Sequence, residues 1–244
     1  MSAWTLPRQI EPETLDHLAA DDPRAVRSRR DLRRVNRVMG SLGLLSRAID
    51  AALRGAAESG GGRALQMAEI GAGDGSLALR LAQQRAAAWP SVRLDLVDRQ
   101  SLVSEQTRAG FARLGWTVRS ETADVFDWLA AQGSGRHDLV FANLFLHHFE
   151  PALLARLLQG LAACSKAFVA LEPRRGPLAL AGSHLIGFLG CNEVTRRDAV
   201  LSVRAGFADH EISALWPSSG WETQEAAAGA FGHCFVARRS GAVR

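Results

Sequence analysis

A glutamate, an aspartate and three glycines fall together in "EIGAGDG", Glu69 to Gly75. Glycines at such a spacing permit a tight turn and let backbone N–H groups approach a ligand closely. Two further acids close later segments: Asp98 in "VRLDLVD" and Asp124 in "TADVFDW". A pair of histidines, His147 and His148, closes the apolar run "FANLFLHHFE". These two could be bases, metal ligands or packed side chains at the end of a buried strand. Adjacent side chains point to opposite faces of a strand, or roughly 100° apart on a helix. With no HxxxH or HExxH spacing in support, no metal site is expected.

The surrounding pattern says what must hold these residues. "LQMAEI", "VRLDLVD", "WTVRSETAD", "HDLVFAN" and "KAFVALEP" read as strands. Helical stretches separate most of them, among them "SLALRLAQQRAAAW", "SLVSEQTRAGFARLG" and "PALLARLLQGLAACS". That alternation predicts βαβ units and a parallel sheet covered on both faces. The glycine run then lies at the carboxyl end of the first strand, where open parallel sheets bind ligands. A dinucleotide fingerprint needs a third glycine where Ser76 stands, and a P-loop needs a lysine that is absent. "WETQEAAAGAFGHCFVARR" predicts a closing strand pair with a turn near Gly229 to Gly232, which makes His233 and Cys234 packing residues.

The first sixty residues read as helical. Pro12 with Glu13 suits a helix start. Leu32, Val35, Val38, Met39, Leu42 and Leu45 recur at the spacing of one amphipathic helix. Arg29, Arg30, Arg33, Arg34 and Arg37 lie between the early ones, as a solvated face or as an anion-binding or membrane-touching one. "ESGGGR", Glu58 to Arg63, marks the best boundary, giving a helical cap over 1–60 and a second unit over 61–244. The apolar "GPLALAGSHLIGFLGC", Gly176 to Cys191, suggests a helical lid around 176–210, with Arg174 and His184 as substrate contacts.

Composition narrows the class. The chain has 244 residues, 47% hydrophobic and 22% charged, with a formal charge of +4, so a globular protein with a sizeable core is expected. Lys166 is the sole lysine among 29 basic residues, which points to codon bias rather than to a nucleic-acid surface. Cys164, Cys191 and Cys234 are far apart and favour a reducing compartment. No apolar run approaches a membrane span, and the N-terminus lacks a signal-peptide pattern. A cytoplasmic protein is the plain expectation.

The [D/E]xGxGxG form of Glu69–Gly75, followed by Asp98 and Asp124, resembles class I S-adenosylmethionine (SAM) methyltransferases. The resemblance implies a Rossmann-like α/β fold: a seven-stranded, mostly parallel sheet in the order 3-2-1-4-5-7-6, the last strand antiparallel, with helices on both faces and an N-terminal helical cap. It implies SAM as cofactor, with Glu69, Gly71, Ala72, Gly73 and Gly75 around its methionine part. Asp98 and Arg99 would lie at the ribose, Asp124 and Val125 at the adenine, and Asn143 at the end of the fourth strand. It places "NLFLHHFE" beside the transferred methyl, with His147 ahead of His148 as a base and His148 packed beneath the following helix. "PETLD", "DLRRVNRVMGSLG", "NLFLHHF", "EPRRGPLALAG" and "TRRDAVLSVRAGF" are together similar to a bacterial group encoded beside type III polyketide synthases. "LEPRR", with Glu172 and Arg174, departs from the Asn-Asp-Leu-like run of those relatives. The resemblance implies O-methylation of a small, fairly apolar phenolic or polyketide-like acceptor by a monomer or homodimer. Carbon methylation of a quinone-type ring, or SAM binding without turnover, are the alternatives. Nucleic-acid methylation is disfavoured because Asn143-Leu144-Phe145 lacks the proline motif of that branch.

Overall fold

The computed structural model describes residues 6–54, 63–89 and 91–241. Seven strands make one sheet: β1 (Leu65–Ile70), β2 (Val92–Asp98), β3 (Thr117–Thr122), β4 (Leu139–Asn143), β5 (Ala167–Pro173), β6 (Trp221–Ala228) and β7 (Gly232–Arg239). Their order is β3-β2-β1-β4-β5-β7-β6, the order the resemblance implies. Strands β1 to β5 pair in parallel, in registers such as Ile70↔Val97, Ile70↔Ala142 and Asn143↔Leu171. Strand β7 runs antiparallel to β5 and to β6. Strand β5 is buried at every position, as a central strand covered on both faces must be. The hairpin turns through Gly229 to Phe231, where Ala228 pairs with Gly232.

Each face of the sheet carries a core. Helices α3 (Ser41–Ala52), α4 (Ser76–Arg85) and α5 (Glu105–Arg113) cover one face, around Leu45, Ile49, Met67, Leu81, Phe111 and Phe141. Helices α6 (Val125–Ala130) and α7 (Pro151–Cys164) cover the other, around Trp128, Leu157, Leu161, Phe168, Trp216 and Phe235. Each large side chain buried there contributes roughly 2 kcal/mol. Pro151 at the first turn suits α7 because its missing N–H would have no partner in any case.

The N-terminal region starts as expected and then departs in two ways. A short α1 (Thr14–His17) starts just after Glu13. The expected single amphipathic helix is two, α2 (Pro23–Val38) and α3, broken at Gly40, whose φ of +67° ends the first. Helix α3 is no cap, because Leu45 and Ile49 are fully buried in the main core. The proposed boundary residues 58–62 lie outside the described residues.

The apolar stripe of α2 is not its buried face. Ala25, Ser28 and Asp31 are buried instead. They face the start of α9 (Glu193–Ala205), which follows α8 (Pro177–Leu185) and a 3-10 turn at Ile186–Leu189. Ser28 Oγ lies 2.7 Å from Thr195 Oγ1, and Asp31 accepts the Asn192 N–H at 2.8 Å. Hydrogen bonds, rather than hydrophobic periodicity, orient this helix. No helix among the described residues is long and apolar enough to cross a membrane.

Candidate active site

The loop after β1 is held by β2. Asp98 accepts the Gly73 N–H on one oxygen and the Gln100 N–H on the other, both at 2.8 Å. The Ala72 N–H donates to the Val97 carbonyl at 3.1 Å, which leaves Ala72 buried under the loop. Gly71 needs its glycine twice over. Its φ is +67°, and a Cβ there would collide with the Phe145 ring. Gly75, at φ +71°, starts α4. Arg99 is exposed. Asp124 caps α6 by accepting the Phe126 N–H at 2.9 Å, and Val125 is buried behind it.

Glu69 and Asn143 lie on the same face at the ends of neighbouring strands, by the Glu69↔Phe141 register and the two-residue repeat of β4. Glu69 is 2% exposed. One oxygen of each, Glu69 Oε2 and Asn143 Oδ1, is buried with no hydrogen-bond partner among the described residues. Burial, and then the neighbouring charges of Asp74 and Asp98, push the Glu69 carboxyl well above its ordinary range. A buried, unpaired acid is costly, so this pair of oxygens marks a place for a donor or a cation.

At the end of β4 the chain bends through Leu144, whose φ of +55° is unusual for a branched residue. The bend opens the 3-10 turn Leu146–His148 and turns its N–H groups onto one carboxylate. Glu172, fully buried at the end of β5, accepts from Phe145 N at 3.0 Å, Leu146 N at 2.8 Å and His147 Nδ1 at 2.8 Å. The departure at "LEPRR" therefore has a role: Glu172 ties β5 to the turn that faces the site. Arg175, rather than Arg174, is the buried arginine here, bonded to the Leu6 and Gly206 carbonyls and to Glu211.

Both nitrogens of His147 are occupied. Nε2 meets Glu13 at 3.3 Å, and Glu13 also accepts from the Ser202 hydroxyl. Burial alone would lower this imidazole, but Glu13 and Glu172 raise it to about 9. Held between Glu13 and Glu172 with its pKa raised, it is placed as a tie between the N-terminal segment and β5. His148 is also not packed away: it is partly exposed, 3.4 Å from Asp16. Burial and the charge of His147 lower its pKa. The two rings do not point apart but lie with centroids 4.2 Å from each other, because the 3-10 turn brings them to one side. With Glu13 they place three ligand-type atoms within 4.8 Å of one another, so the geometric argument against a metal does not hold.

This tie makes a pH prediction. The pKa of His147 rises on folding, so its contribution is complete below about pH 6.5 and is lost as the pH passes about 9. Urea unfolding across that range should show the loss, on the order of 2–3 kcal/mol. In Glu13→Gln the loss should be smaller and be complete at lower pH, because only the folded-state pKa falls. A flat profile in the unsubstituted protein would remove the charge from His147.

Several residues at the site could not be read from their own surroundings. Glu13 stands 134 positions from His147. Thr14 and Leu15 N–H groups donate to Asp198 at 2.9 Å, and Arg8 donates to the Phe149 carbonyl at 3.1 Å, so the N-terminal segment straps the rim. Arg33 pairs with Asp74 of the glycine loop at 2.7 Å, and Arg29 reaches Gln100 at 3.0 Å. Those two arginines are thus not a simple solvated face. The remaining candidates lie elsewhere. Arg174 and His184 are exposed. His233 is buried and hydrogen-bonded through Nε2 to Glu225 at 2.8 Å, and Cys234 is a half-buried thiol pushed up to about 11 by burial.

Residues 67–167 match a family described as a methyltransferase domain. A search of curated protein sequences finds no significant match. Among solved structures, the plantazolicin methyltransferase BpumL in complex with SAH shares 12% identity, over 90% of this chain and 91% of its own, with a TM-score of 0.62. An O-methyltransferase family protein from Burkholderia thailandensis shares 15% identity, over 91% of this chain and 61% of its own, with a TM-score of 0.59. The CMeT domain of the citrinin polyketide synthase shares 13% identity, over 74% of this chain and 48% of its own, with a TM-score of 0.51. At such identities the likeness is one of fold. The segment that carries the glycine loop, Asp98, Asp124 and the β4 turn thus matches a methyltransferase domain, set in a sheet with the strand order of that fold.

Proposed function

We propose that the chain binds SAM across the carboxyl ends of β1 to β4 and transfers its methyl group to the hydroxyl of a small, fairly apolar acceptor. The observation that carries the reading is the pair of unpartnered buried oxygens, Glu69 Oε2 and Asn143 Oδ1, beside a glycine turn. They fit the ammonium end of an amino acid. Asp98, with lone pairs left after two N–H bonds, suits the ribose hydroxyls, and Asp124 with the Val125 N–H suits the adenine edge. SAM supplies an electrophilic methyl on a good leaving group. The chain's part is alignment, exclusion of water and removal of the acceptor's proton. His148, with a lowered pKa and a carboxylate neighbour in Asp16, suits that last task; His147 holds it in place. The natural-product methyltransferases among the structural neighbours support a small-molecule acceptor. Segments 6–38 and 176–210 are the proposed walls over it.

Calorimetry with SAH tests this reading, and a protein that binds none would end it. Glu69→Gln should weaken SAH roughly 10- to 100-fold while holding or raising the unfolding temperature of the free protein, because it removes a desolvated acid. Transfer of labelled methyl from SAM to phenols, with the product linkage read by NMR, then separates oxygen from carbon methylation.

A further inference from the structure

The segment from Gly176 to Cys191 holds sixteen residues without one Asp, Glu, Lys or Arg. Its buried positions are small ones, Ala179 and Ser183. Gly182 lets the Phe231 ring of the β6–β7 turn approach the helix. The large apolar side chains face outward instead. Leu178 is 63% exposed, Leu185 57% and Phe188 89%. Leu189 is also exposed. Positions 178, 181, 185, 188 and 189 follow the helical repeat, so they form one stripe along α8 and its 3-10 extension.

Cations flank the tip of that stripe. Arg27, on the exposed face of α2, reaches the Gly190 carbonyl at 3.4 Å. Arg196, on α9, lies beside Gly187. Neither has a carboxylate partner among the described residues, and neither does Arg30, one turn on from Arg27. Glu193 and Asp21 are the exposed acids nearby, and the remaining pairs, Arg24–Asp22 and Arg34–Asp31, neutralise themselves.

We propose that this face is a docking surface for an anionic lipid bilayer, with Leu185, Phe188 and Leu189 entering the acyl boundary and Arg27 and Arg196 at the headgroups. An apolar helix face bearing Phe and Leu, rimmed by arginine, is the chemistry that an interface selects. A second copy of the chain is the weaker occupant. The stripe offers on the order of 500 Å², below the roughly 800 Å² per partner of a stable dimer, and a symmetric dimer would set the arginine rims against each other. The assignment concerns the outward, exposed side of a segment whose inner side is proposed as a wall over the acceptor, and none of its residues touches the glycine loop or the histidine cluster.

Co-sedimentation of the full chain with vesicles tests it. The protein should pellet with phosphatidylglycerol mixed equally with phosphatidylcholine, and about tenfold less with phosphatidylcholine alone or in high salt. Phe188→Asp should lower binding to the mixed vesicles by about tenfold or more, with SAH affinity and the unfolding transition unchanged. Arg27→Gln with Arg196→Gln should remove most of the preference for the anionic lipid. Protein that stays in the supernatant with both vesicles overturns the proposal, as does Phe188→Asp binding as well as its parent. A lipid-free dimer that Phe188→Asp dissociates would give the face to a second copy and overturn it as well.

Discussion

Asp98→Ala is expected to weaken SAH binding by roughly 10²- to 10³-fold, the largest loss from any single side chain of the proposed cofactor site. Two losses combine. A carboxylate that accepts two ribose hydroxyls contributes charge-assisted bonds of about 1.5–3 kcal/mol each. The same carboxylate fixes the loop that must wrap the ligand, through the N–H groups of Gly73 and Gln100 at 2.8 Å. Asp98 is only half buried, so those N–H groups can turn to water and the fold itself should lose only about 1–2 kcal/mol. Asp98→Asn keeps the shape but turns one acceptor into a donor against a donor, and should fall between alanine and the parent. Calorimetry with SAH, beside a thermal unfolding curve, separates the two effects. An unchanged affinity in Asp98→Ala would remove the ribose assignment and leave Asp98 as a loop tie.

Glu172→Ala should act on the fold instead. Glu172 is the acceptor for two backbone N–H groups and for the imidazole of a buried, protonated histidine. Alanine leaves those donors in a space water cannot easily enter, and a charge at His147 that only Glu13, at 3.3 Å, still offsets. Removing one partner of a buried charged pair costs about 3–5 kcal/mol, and urea unfolding at neutral pH should show a loss of that size. Glu172→Gln retains an acceptor for the turn but sets an amide near His147 Nδ1. It should lose less, and the His147 titration, followed by NMR, should move well below about 9. A Glu172→Ala protein as stable as its parent would mean that the β4 turn is held by its own backbone.

The two substitutions divide the site by how each part could be known. Asp98 was legible because it is local. It closes a strand, 23 residues after Gly75, and strand ends in a parallel sheet share one edge. The sheet was legible for the same reason, since apolar runs and the helical stretches between them repeat along the chain. The glycine turn was legible because only glycine tolerates positive φ with an aromatic ring pressed on its backbone.

The histidine pair was located by sequence, but its surroundings were not. Its protonation depends on Glu13 and Glu172, 134 and 25 positions away, and no spacing rule links them. Helix α2 was misjudged for a different reason. Its apolar repeat is real, yet Ser28 and Asp31 orient it through hydrogen bonds to the start of α9. A hydrophobic pattern reports what a helix can bury, whereas directional polar contacts decide which face turns inward.

By itself, then, the sequence determined the strand order through its family resemblance, and through local pattern it determined the glycine turn and the acids at the strand ends. Tertiary structure alone decided that His147 sits between Glu13 and Glu172, that His148 is partly exposed beside Asp16, that Glu172 holds the turn and that Phe188 faces outward. Local backbone geometry is written in neighbouring residues. Protonation and exposure are set by whatever the fold brings near, often from more than a hundred residues away.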